Sequence, residues 1–230
     1  MLLTKLHHFY QTFMLNNSMK NKIKEQFIDY LLDQGKEPES IYKFCKKLKI
    51  KESEFYENYN SFKQINAEVW KDLMNETIVS IQNEEVYANY SVREKLLSFL
   101  YTYIEMLKAK RSYILKCYES LEKPLNMKKN PEFSDARRVF EEFMNDLVVE
   151  GQETREIEPR PIPQIMAKYP EWIWMLVLSI TDFWINDNSK LFEKTDTLIE
   201  KSVNTTMDWM ARTPLDSLFD LGKFLYQNRR

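Results

Sequence analysis

SIYKFCKKLKIKESEFYENYNSFKQI, residues 40–65, decides the fold, because two short amphipathic helices with a tight turn between them can be read from it. Ile41, Phe44, Cys45 and Leu48 fall at i, i+3, i+4 and i+7, one apolar stripe. Ile50 sits in the turn. A second helix from about Lys51 turns Phe55 and Tyr59 inward and leaves Ser53, Glu54, Tyr56, Glu57 and Asn58 outward. Two such helices at a steep angle make a helix-turn-helix, whose second helix can enter the major groove of DNA.

On the N-terminal side, Ile23, Phe27, Tyr30 and Leu31 stripe a first helix that Gly35 terminates, and Glu39 or Ser40 caps the next. Residues 1–18 have no signal-peptide pattern and read as an extension before the domain. On the C-terminal side, Asn60 or Ser61 caps a long helix carrying Ile65, Val69, Leu73 and Ile81. One helix is expected from Tyr90 through Leu96, Phe99, Leu100, Tyr103, Ile104 and Leu107 to Cys117. Another carries Val139, Phe140, Phe143, Met144 and Leu147 and ends by Gly151, before a proline-rich connector to Pro163. The run from Pro170 is apolar nearly all round. It is shorter than the roughly 20 residues of a membrane span and holds Asp182, so a buried or dimer-forming helix is expected and no stable membrane insertion. Leu191 to Met210 stripe the next helix, and a terminal one opens at Thr213 and Pro214, packing on the body or touching a membrane surface.

Three glycines in 230 residues leave an all-α chain as the expectation, since sheets and their turns need more. A hydrophobic content of 43% can fill a substantial core. The net charge of -2 exerts no global pull toward nucleic acid, so charge for DNA must be local. Lys43, Lys46, Lys47, Lys49 and Lys51 supply such a cluster. Cys45 and Cys117, far apart and on apolar faces, read as buried thiols of a reducing cytosol, and the expected location is cytoplasmic. His7 and His8 are the only histidines, and the glycines are isolated. A histidine-based catalytic or metal site and a glycine-rich phosphate loop are therefore not expected, nor is enzyme activity or a cofactor.

The residues also resemble the DNA-binding domain of the TetR family of transcriptional regulators. Leu31 through Gly35 stand for the end of its first helix, and Phe44, Cys45, Leu48, Lys49 and Ile50 stand on its Ile-Ala-x-x-Ala-Gly-Val core. Phe55-Tyr56-x-x-Tyr59 matches its recognition helix, and Ile65 its final apolar position. Lys49 replaces the turn Gly, Phe62 the usual Lys, and Glu52, Glu54 and Glu57 add carboxylates. The resemblance implies a three-helix DNA-binding domain at 19–66 and a larger helical ligand-binding and dimerisation domain at 67–230. It implies a homodimeric, ligand-responsive regulator, a repressor, on a double-stranded DNA operator. Ser40, Lys46, Lys47, Lys51, Ser53, Tyr56, Asn58 and Lys63 would meet DNA. Phe99, Tyr103, Phe140, Phe143, Met144, Trp174 and Leu178 would line a site for a small apolar effector. Phe183, Trp184, Leu191, Leu198, Ile199, Val203 and Met210 would form the dimer interface, or else an intrachain core. Residues 183–210 are also similar to the end of the TetR-like lipid-binding proteins of ubiquinone biosynthesis. That likeness implies a second possibility, a lipid- or partner-binding protein without specific DNA recognition.

Overall fold

The computed structural model describes the backbone of residues 2–119, 130–160, 163–211, 221 and 224–227, with side chains from residue 18 onward, Pro163 excepted. No strand occurs among them. The helices are α1 (Leu2–Gln34), α2 (Ile41–Leu48), α3 (Glu52–Tyr56), α4 (Phe62–Gln82), α5 (Val92–Ala109) and α6 (Arg111–Glu119). They continue as α7 (Ser134–Glu153), α8 (Pro163–Met166), α9 (Tyr169–Asn186) and α10 (Glu193–Met210). The chain divides into two compact units, Met1–Asp72 with Ala109–Ala136, and Leu73–Lys108 with Arg137–Arg230.

In the first unit, Ser40 caps α2 by accepting from the Lys43 N–H at 3.2 Å. The helix then closes with the paired bonds of a Schellman motif, Ile50 N–H to the Cys45 carbonyl at 3.1 Å and Lys49 N–H to the Lys46 carbonyl at 3.3 Å. Lys49 takes the left-handed conformation at φ 57° that this motif requires. The Glu54 carboxylate accepts from the Lys51 N–H at 2.7 Å and so starts α3. Gly35, at φ +65°, ends α1 with its N–H on the Leu31 carbonyl at 3.0 Å. Ile23, Phe27, Phe44, Cys45, Phe55, Tyr59 and Ile65 form the buried core, each large side chain stabilising it by about 1.5–3 kcal/mol. Phe62, half-buried, stacks on Phe27 at 5.2 Å, meets Phe44 edge-on at 5.5 Å and packs against that core.

The compact unit that holds the helix-turn-helix runs past the expected boundary at residue 66. The Tyr113 hydroxyl of α6 donates to Asn66 Oδ1 at 2.6 Å, and the Trp70 and Phe133 rings lie 4.7 Å apart. These buried contacts bring α6 and residues 130–136 into the helix-turn-helix unit. The α1 helix begins at Leu2 and so includes the residues expected as an extension.

The second unit holds α5, α7, α9 and α10 around Phe99, Leu100, Phe140, Trp174, Val177, Ile199 and Val203, all nearly or fully buried. Ser91 and Glu94 cap α5 reciprocally, and Glu156 accepts from the Val92 and Arg93 N–H groups at 3.1 and 3.4 Å. Lys95 of α5 is buried and paired with Glu150 at 2.6 Å. Arg93 reaches α10 at Asn204 (2.6 Å) and Asp208 (2.7 Å). Two expected elements change. The single helix through Cys117 is interrupted at Lys110, giving α5 and α6. And α7 passes through Gly151 to Glu153; an added Cβ there would lie 2.6 Å from the Ile157 side chain, a close approach that glycine alone permits. No helix among the described residues is long and apolar enough to cross a membrane. The expected cap at Thr213 and Pro214 lies outside the described residues.

Candidate functional site

Three sets of residues were expected to carry function. In the first, the surface of α2, the turn and α3, Lys46, Lys51, Ser53, Tyr56 and Lys63 are exposed. Lys47 is also exposed, with its ammonium 4.4 Å from the Tyr30 ring centroid, which holds it against the first helix. Two residues also have structural work. Ser40 caps α2, and the Asn58 amide donates to the Glu54 carbonyl at 2.8 Å. Of the three carboxylates, Glu54 is committed to the start of α3, leaving Glu52 and Glu57 on the exposed face. Lys43 pairs with Glu39 rather than standing free. Tyr42 of α2, 58% exposed, joins this surface. Its signal in the sequence was an aromatic residue outside the apolar stripe.

The second set comes together. Phe99, Tyr103, Phe140, Phe143, Met144, Trp174 and Leu178 are all buried in the second unit. The Phe99 ring lies 5.2 Å from Phe140, 5.3 Å from Phe143 and 6.0 Å from Tyr103, and Phe140 lies 5.6 Å from Trp174. Burial pushes the Tyr103 phenol up to about 12, so its hydroxyl stays neutral. The hydroxyl sits 3.4 Å from Thr181 Oγ1, which itself donates to the Val177 carbonyl at 2.8 Å. Trp174 Nε1 is buried with no protein acceptor.

The third set separates by face. Trp184, Ile199, Val203 and Met210 are buried in the chain's own core, so they offer no surface to a second copy. Phe183 and Leu191 stay exposed and Leu198 half-buried. Leu191 is not on α10 as expected but in the turn before it, in left-handed backbone together with Phe192. Trp172 of α9 and Trp209 of α10, 54% and 67% exposed, belong to the outer surface and were not singled out in the sequence. An all-round apolar helix does not say which of its sides the chain covers itself.

Residues 95–225 match the family model described as tetracyclin repressor-like, C-terminal domain. No curated protein matches the chain. Among solved structures, a protein of unknown function from Rhodococcus sp. RHA1 is 11% identical, with a TM-score of 0.55 over 84% of this chain and 96% of that one. A bacterial regulatory protein of the TetR family from Rhodococcus RHA1 is 12% identical, with a TM-score of 0.52 over 85% and 98%. At such identities the two structures speak for the fold. The family rests on the model, which spans more than half of the sequence, and on that ground the chain belongs to the TetR family.

Proposed function

We propose that the protein is a ligand-responsive transcriptional regulator, a repressor that binds a double-stranded DNA operator as a homodimer. The observation that carries this is the capped α2–turn–α3 arrangement over its aromatic core, which presents Lys46, Lys51, Ser53 and Tyr56 on one exposed run of chain. In this reading Lys46, Lys47, Lys51 and Lys63 meet phosphates, and Ser53 and Tyr56 approach base edges. Ser40 and Asn58 contribute by holding the helices. The effector binds among the buried aromatic residues of the second unit and favours one conformation over the other.

A gel shift with the DNA upstream of the gene, run across a salt series, tests the proposal. Lys46→Ala should weaken binding at every sequence and lower the salt slope by about 1. A folded protein with no specific binding at low salt would refute it. The exposed carboxylates of Glu52 and Glu57 favour one competing reading, a lipid- or partner-binding protein on the same fold. Mass spectrometry of lipid co-purified with the native protein separates the two.

A further inference from the structure

Trp174 is 1% exposed, and its indole N–H, which can only donate, has no acceptor from the protein. Buried donors are almost always satisfied, so an orphaned indole N–H asks for a partner. Its surroundings say what kind. The Phe140 ring lies 5.6 Å away, and Phe99, Phe143 and Tyr103 follow behind it. None of the seven residues of this group is charged. The buried ammonium on α5, Lys95, is already committed to Glu150 at 2.6 Å. An ion entering these walls would lose its hydration without a counter-charge, a far larger penalty than a neutral molecule meets.

We propose that the effector is an uncharged aromatic or hydrocarbon molecule bearing one hydrogen-bond acceptor, a carbonyl or ether oxygen, that accepts a hydrogen bond from Trp174 Nε1–H. This deepens the effector-binding reading and rests on it. The aromatic rings touch one another, so the ligand enters by parting them and binds a conformation less populated without it. Apolar walls supply affinity, and the single indole donor supplies orientation.

Calorimetric titration of the whole protein with three probes tests this: propiophenone, which has an aromatic ring and a carbonyl; propylbenzene, which lacks the acceptor; and benzoate, which is charged. Propiophenone should bind about fivefold more tightly than propylbenzene, the worth of one neutral hydrogen bond, and benzoate most weakly. In Trp174→Phe the preference for propiophenone over propylbenzene should vanish. The wild-type ratio is informative even if that variant does not fold. Equal binding of propiophenone and propylbenzene, tightest binding of benzoate, an unchanged ratio in the variant, or no binding of any probe would overturn the assignment. A gel shift on the same preparation, without probe, reports separately on DNA recognition. Loss there with the probe preference intact removes the regulator and leaves the site.

Discussion

Asp187 organises the turn between α9 and α10. Its carboxylate accepts from the Ser189 N–H at 2.8 Å, the Thr195 N–H at 3.0 Å and the Thr195 hydroxyl at 2.7 Å. These bonds hold Leu191 and Phe192 at φ 53° and 64°, backbone that non-glycine residues adopt only when their surroundings impose it. Burial alone would raise the Asp187 carboxyl, but the hydrogen bonds to Ser189 and Thr195 outweigh it and lower the pKa from 3.8 to about 2. Between those two values the unfolded chain binds more protons than the folded one. The stabilisation is therefore full above about pH 4 and is lost as pH falls through about 2. Asp187→Asn should be less stable than wild type at neutral pH, with the gap closing over that acid window. Urea midpoints for both proteins through the window measure it, and a gap that stays constant would mean the charge of Asp187 is not its source. By residue type Asn186 to Ser189 marks a turn, and no more. Two consecutive left-handed residues without glycine cannot be read from residue types, because the partner that makes them tolerable, Thr195, stands a helical turn away in sequence.

Among the elements, α2 and α3 were the most legible, since each carries a short apolar stripe bounded by its own caps. Their one local compromise is Lys49, whose left-handed φ of 57° costs a Cβ-bearing residue what glycine avoids. Lys49→Gly should stabilise the protein by about 0.5–1 kcal/mol, read as a rise in the thermal midpoint, provided the Schellman bonds persist. A fall instead would show that the lysine side chain contributes more than its backbone strain removes. The break between α5 and α6 was illegible for the opposite reason. Ala109, Lys110 and Arg111 include no glycine or proline, and the apolar positions run on through Tyr113, Ile114 and Cys117. The two helices fall largely in different compact units, a tertiary division that periodicity does not record. Gly151 misleads in the same way, because it reads as a helix end and serves as a place for Ile157 to approach.

For the molecule as a whole, the proposed homodimer makes a surface prediction. On α9 the buried residues Ile173, Trp174, Val177, Ile180 and Trp184 face inward, leaving Trp172, Ser179 and Phe183 exposed. Phe183→Glu should convert a dimer to a monomer in light scattering while leaving the helical circular dichroism unchanged. A protein that is monomeric before the change, or dimeric after it, argues against this face. The seven aromatic and aliphatic residues expected at an effector site were legible as a group because they share helical stripes, whereas the orphan N–H of Trp174 depends on what surrounds it in space. The same holds for Asn66 and Tyr113, two polar residues in separate stretches whose buried bond places α6 with the helix-turn-helix. That bond, with Trp70 against Phe133, bears on how the gene can be recombined. A chimera that borrows only the first 72 residues would leave Asn66 and Trp70 without their partners. On the proposed reading, swapping DNA specificity between relatives should therefore require two separate stretches of coding sequence, 1–72 and 109–136, to travel together.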